Sequence, residues 1–134
     1  MKIQQAEIRD IEIILLYDKH ISYEELMNSV KLNRIYIVTE NDEFCGWLRY
    51  GLFWDNTPFI NMLYFLEGKR KKGYGSKIVE YWENEMRKKG YSKVLTSSQS
   101  DETSQHFYSK LGYKTIGGFL LNNEPFEIIM LKNL

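Results

Sequence analysis

Arg70-Lys71-Lys72-Gly73-Tyr74-Gly75-Ser76 lies between an apolar run and an amphipathic one. Upstream, Phe59-Ile60-Asn61-Met62-Leu63-Tyr64-Phe65-Leu66 reads as a buried strand. Downstream, Ile78, Val79, Trp82 and Met86 recur on one side of a 3.6-residue period, which predicts a helix. A basic, glycine-containing turn therefore opens a helix directly after a strand. Such a turn suits phosphate: the first N–H groups of a helix have no intrahelical partner, the helix dipole favours an anion there, and glycine lets a ligand approach the backbone. Lys69, Arg70, Lys71 and Lys72 concentrate positive charge at the same place.

Two well-known phosphate loops fail on this stretch. Gly68 and Gly73 have the spacing of a Walker A loop, but Tyr74 and Gly75 follow where Lys and Ser or Thr are needed. The dinucleotide fingerprint needs a third glycine where Ile78 stands. A third pattern, (Gln/Arg)-x-x-Gly-x-(Gly/Ala), is met at every fixed position by Arg70 to Gly75. A second segment, Asp101-Glu102-Thr103-Ser104-Gln105-His106-Phe107-Tyr108-Ser109-Lys110-Leu111-Gly112-Tyr113, carries Phe-Tyr-x-x-Leu-Gly-Tyr at the end of a predicted helix. In this order, with one helix and one strand between them, the two signatures make the chain similar over nearly its whole length to the GNAT N-acetyltransferases.

Composition sets the bounds. The chain has 134 residues, enough for one domain with a real core, and 1–134 is expected to form a single acetyltransferase domain. Hydrophobic residues make up 43% and charged residues 27%, as in ordinary globular proteins. The formal net charge is zero, which argues against a general nucleic-acid or membrane binder. The run at 69–72 is better matched to one small polyanion. No apolar run approaches the ~20 residues of a membrane span, and Met1 to Glu7 lacks the apolar core of a signal peptide. Cys45 is the only cysteine, so no internal disulfide can form, and a reducing cytoplasm is the expected compartment. Two histidines and one cysteine offer no metal constellation.

The pattern predicts an α/β chain. Strands are expected at 2–7, 34–40, 44–53, 59–66, 93–97, 113–119 and 127–131, and helices at 9–17, 22–32, 73–88 and 102–111. Ser22-Tyr23-Glu24-Glu25 has the form of a capping box, Asn41-Asp42 that of a hairpin turn, and Asp55-Asn56-Thr57-Pro58 that of a loop. Gly90 and Gly112 are expected C-caps and Asp101 an N-cap. The order β-α-α-β-β-β-α-β-α-β-β is the one the GNAT fold shows: a mixed, mostly antiparallel sheet of six to seven strands with about four helices, splayed where the cofactor inserts.

The resemblance implies transfer of an acetyl group from acetyl-coenzyme A to a primary amine within a ternary complex. Backbone N–H groups from Lys71 through Lys72, Gly73, Tyr74 and Gly75 to Ser76 would grip the pyrophosphate, with Arg70 at the first motif position. Charge alone nominates Lys69 or Lys72 for the ribose phosphate. The strand holding Leu63 and Phe65 would pair through its backbone with the pantetheine arm, and the Phe65 N–H would polarise the thioester carbonyl. Glu67 replaces a proline common in the family. Tyr108 matches the tyrosine that protonates the leaving thiolate. Asp101 stands where the family often has a pantetheine-binding Asn; a carboxylate cannot donate as an amide does, which leaves Ser98, Gln99 and Ser100 as alternative donors. The general base is open among Glu67, Asp55, Glu127 and a water. His20 and His106 are expected at the surface and Cys45 in packing. Residues 18–33 and 119–126 fall where the family selects its acceptor, and a homodimer is a family expectation. A non-catalytic acyl-coenzyme A sensor on the same fold would keep 70–76 without needing Tyr108.

Overall fold

The computed structural model describes residues 1–134. Its strands are β1 (Lys2–Gln5), β2 (Ile35–Glu40), β3 (Glu43–Phe53), β4 (Thr57–Phe65), β5 (Lys93–Gln99), β6 (Lys114–Phe119) and β7 (Glu127–Asn133). The helices are α1 (Ile11–Tyr17), preceded by a 3-10 turn at Ile8–Asp10, α2 (Tyr23–Lys31), α3 (Tyr74–Lys88) and α4 (Ser104–Lys110). The strands form one mixed sheet of seven in the order β1-β2-β3-β4-β5-β7-β6. The pairs β1–β2, β2–β3, β5–β7 and β6–β7 are antiparallel. β4 and β5 are parallel over a short ladder, Phe59 opposite Leu95 and Ile60 opposite Thr96. No helix is long and apolar enough to cross a membrane.

The chain divides into two compact units, Met1–Gly51 with Met62–Val79, and Leu52–Asn61 with Glu80–Leu134. In the first, the apolar stripes of α1 (Ile11, Ile14) and α2 (Leu26, Val30) meet Ile35, Ile37 and Trp47 on one face of the β2–β3 hairpin. Full burial of each such side chain contributes about 1.5–3 kcal/mol, so this cluster orders the unit. Asp18, just past α1, forms a buried ion pair with Arg49 of β3 at 3.1 Å. In the second unit the buried residues include Trp82 and Met86 of α3, Val94 and Leu95 of β5, Tyr108 of α4, Tyr113 and Met130 of β7. β6 is exposed along its whole length, as an edge strand.

Several local expectations are met. Ser22 accepts a hydrogen bond from the Glu25 N–H at 3.2 Å and caps α2. Asn41 and Asp42 have φ of 51° and 64°, the left-handed pair of a tight hairpin turn. Gly90, at φ +92°, ends α3, with the Tyr91 N–H returning to the Met86 carbonyl at 3.1 Å. Most boundaries shift by one to a few residues, and three of the differences have a clear local cause. Thr57 and Pro58 belong to β4, where a proline at the second position needs little from the ladder. β5 runs on to Gln99 because Gln99 pairs with Glu127. Asp101 does not cap α4: the N-cap is Thr103, without a side-chain bond. Instead Glu102 turns the chain, its carboxylate accepting from the Gln99 N–H at 2.8 Å while its own N–H reaches the Gln99 carbonyl at 3.0 Å.

Gly46 shapes the strand that leads to the basic loop. β3 carries a bulge there, since Val38 faces Gly46 while Thr39 faces Phe44, leaving Cys45 as the extra residue. A Cβ at Gly46 would run into the Tyr64 carbonyl oxygen and sit 2.6 Å from Phe65 Cδ1. Gly46→Val is therefore expected to destabilise the protein by about 3 kcal/mol or more, at the upper end of overpacking costs, because backbone cannot yield as a side chain does. A thermal melt within a degree or two of wild type would show that the strands part freely at this point.

Candidate active site

The basic loop lies within the first unit. β4 ends at Phe65, and the Leu66 N–H donates to the Cys45 carbonyl at 2.8 Å. Because backbone groups alternate along a strand, Leu63 and Phe65 present theirs on the opposite edge, away from β3. There the Phe65 carbonyl accepts a hydrogen bond from Arg70 Nε at 2.8 Å. The same guanidinium lies over the Tyr64 ring, 5.2 Å from its centroid. Arg70, the first residue of the motif, thus folds back and closes the turn on the strand that precedes it.

Beyond Arg70, Lys71 and Gly73 both take left-handed conformations, with φ of 61° and 77°. Glycine adopts this φ at little cost, and a Cβ at Gly73 would meet nothing within 4 Å, so the turn is open there. The Lys77 N–H bonds to the Gly73 carbonyl at 3.3 Å and starts the α3 ladder. The N–H groups of Tyr74, Gly75 and Ser76 precede that first bond and are the donors a helix start leaves over. Arg70 through Gly73 are exposed. The structure thus brings Arg70, Lys71, Lys72, Gly73, Tyr74, Gly75 and Ser76 together as an exposed cationic turn on a helix start, with Leu63 and Phe65 on the strand before it. This chemistry fits a pyrophosphate: donors, positive charge and the positive end of a fifteen-residue helix.

Tyr108 belongs to the second unit. It is 4% exposed on α4, with its ring edge-on to Phe107 and to Tyr113 at centroid distances of 5.0 and 5.4 Å. Burial pushes its hydroxyl up to about 12, with a hydrogen bond to the Thr96 side chain pulling it back. Thr96, itself buried, also reaches the Ile60 carbonyl at 3.4 Å. Sequence reasoning missed Thr96, which carries no local signal beyond its place in an apolar strand.

The remaining candidates are placed as follows. Ser98 is buried, its hydroxyl 2.6 Å from that of Ser104. Gln99 donates through Nε2 to Glu124 at 2.8 Å. Ser100 and Asp101 are exposed. Of the base candidates, Glu67 and Asp55 are exposed and Glu127 is half-buried at the start of β7. His20 and His106 are at the surface and Cys45 is buried. No group of three or more His, Cys, Asp or Glu gathers as a metal site.

This loop on this fold defines an acetyltransferase class, and the family model described as Acetyltransferase (GNAT) family matches residues 5–113. The chain belongs to that family. Among solved structures it is similar to a GNAT-family acetyltransferase from Bacillus cereus, at 22% identity and TM-score 0.78, covering 98% of this chain and 96% of that one. It is also similar to Ard1 from Thermoplasma volcanium, at 14% identity and TM-score 0.86, over 99% and 97% of the two chains. The PaiA N-acetyltransferase from Thermoplasma acidophilum, solved in complex with coenzyme A, matches at 17% identity and TM-score 0.82, over 99% and 98%. At these identities the likeness is one of fold. No match was found among curated proteins.

Proposed function

We propose that residues 1–134 act as one N-acetyltransferase domain that moves an acetyl group from acetyl-coenzyme A to a primary amine, on a small molecule or a protein, by direct attack. The observation that carries this reading is the turn at 70–76, where left-handed Lys71 and Gly73 lead exposed cationic backbone into the free N–H groups of α3. In the proposed reaction the amine nitrogen attacks the thioester carbon and the C–S bond breaks. The departing sulfur takes the Tyr108 proton, and the proton lost by the amine restores it through solvent. The Phe65 N–H, on the strand edge away from β3, would donate to the carbonyl oxygen as it gains charge. Coenzyme A in the PaiA complex supports the choice of cosubstrate.

Calorimetric titration with acetyl-coenzyme A, with desulfo-coenzyme A and ATP as controls, tests the reading. Saturable binding selective for the acyl cofactor is expected. Gly73→Glu should abolish it, since a carboxylate would stand among the phosphate donors. The left-handed φ of Gly73 adds a cost of about 1–2 kcal/mol for any side chain, so Gly73→Ala serves as the uncharged control. A folded Gly73→Glu protein with unchanged affinity would remove the basis for this function. A second reading, a non-catalytic acyl-coenzyme A sensor, draws on the burial of Tyr108; cofactor binding without turnover across a broad amine screen would favour it.

A further inference from the structure

The cationic loop is not electrostatically free. Lys69 Nζ lies 3.5 Å from Glu43 Oε2, and Lys72 Nζ lies 3.8 Å from Glu40 Oε1. With Arg70 committed to the Phe65 carbonyl, three of the four basic residues at 69–72 already have partners inside the first unit. The two acids sit at the closing end of the β2–β3 hairpin, where Glu40 is the direct cross-strand partner of Glu43. Like charges directly opposite each other on an antiparallel pair repel and weaken a hairpin. Placing two carboxylates there costs the turn stability, and what offsets the repulsion is the pair of lysines from the loop. Glu40 also keeps one carboxylate oxygen, Oε2, buried without a hydrogen-bond partner. Burial pushes the thiol of Cys45 up, at the adjacent bulge, and Lys69, Glu40, Lys72 and Glu43 all act on it as well.

We infer that Glu40 and Glu43 are internal counter-anions that compete with a ligand's phosphates for Lys72 and Lys69, and so set how tightly the loop holds its polyanion. The inference rests on the loop binding the phosphates of acetyl-coenzyme A. A phosphate approaching either lysine must displace or share a carboxylate, so both carboxylates act against binding and favour release. Lys71, with no ion pair to either acid, remains the cation directly available to the ligand.

Glu40→Gln, Glu43→Gln and the double variant should be titrated with acetyl-coenzyme A at low salt and at ~1 M salt, where screening reaches within ~3 Å. Each single change should tighten binding by about two- to fivefold at low salt, the range that exposed ion pairs are worth. The gain should shrink at high salt and vanish for Glu40→Gln in a Lys72→Gln background. A purely structural role, in which the two ion pairs hold the loop in place, predicts the opposite, since a loosened loop would weaken binding. Unchanged or weaker affinity in folded variants, with wild type binding normally, overturns the inference and leaves the function standing. Failure of the wild type to bind overturns both.

Discussion

Tyr108→Phe is expected to lower the turnover number about 100-fold or more while leaving the affinity for acetyl-coenzyme A within twofold, because removal of a positioned general acid costs about 10²–10⁴ in rate. The ring stays and only the hydroxyl goes. The fold should tolerate the change, since Thr96 keeps its contact with the Ile60 carbonyl and one hydrogen bond is worth about 0.5–1.5 kcal/mol. The raised hydroxyl, pushed up to about 12, keeps the proton in place at every physiological pH. In the proposed reaction the donor must be protonated before the thiolate forms, and burial of Tyr108 favours that state. The rate should therefore show no alkaline limb from Tyr108 below about pH 10, the ordinary phenol range. Steady-state kinetics with a calorimetric Kd checks both halves. Equal turnover in the variant would make Tyr108 a packing residue and shift weight to the sensor reading.

The second large effect lies in the second unit. Glu83 of α3, 3% exposed, accepts from the Tyr113 hydroxyl at 2.7 Å and from Lys132 Nζ at 2.9 Å. The ammonium also lies 5.7 Å from the Tyr113 ring centroid. Glu83→Ala leaves a half-buried ammonium and a buried phenol without their acceptor. Breaking a buried pair in this way costs about 3–5 kcal/mol. For a chain of this size that corresponds to a fall in Tm of about 10 °C or more. Glu83→Gln should recover part of the loss, since an amide oxygen still accepts from Tyr113. A melt of Glu83→Ala within about 2 °C of wild type would show that solvent replaces the carboxylate at little cost.

The same network sets an alkaline limit. Burial pushes the Tyr113 hydroxyl up, and the neighbouring Glu83 carboxylate adds to the shift. Above about pH 10 an unfolded tyrosine loses its proton while folded Tyr113 and Tyr108 keep theirs. The unfolded state then binds fewer protons than the native one, so stability falls as pH rises. The contribution is fully present below about pH 10 and is lost above it. Denaturant midpoints measured from neutral to alkaline pH should show this decline, and it should be shallower in Glu83→Gln, which lacks the charge that raises Tyr113.

Much of this was legible in the chain because its signals are local. The 3.6-residue stripe of Ile78, Val79, Trp82 and Met86 marks α3, and all four are buried. Asn41-Asp42 announces a turn because short polar residues tolerate the left-handed conformation they adopt there. Gly90 and Gly112 end α3 and α4 for the same backbone reason, at φ of +92° and +98°. Boundaries blurred where pairing outvoted composition, as when Glu127 drew Gln99 into β5.

The sequence by itself determined the order of elements, the cationic turn before α3 and the family, since each depends on residues close together in the chain. Only the tertiary structure decided which partners the charges take. Arg49 finds Asp18 across 31 positions, Lys69 finds Glu43 across 26, and Lys132 finds Glu83 across 49. Arg70 turning back onto the Phe65 carbonyl spans only five, yet the motif offers it equally to a ligand phosphate. A long cationic side chain reaches many acceptors from one backbone position. Which of them it meets is set by how strands and helices bring distant segments together, and a one-dimensional pattern does not carry that information.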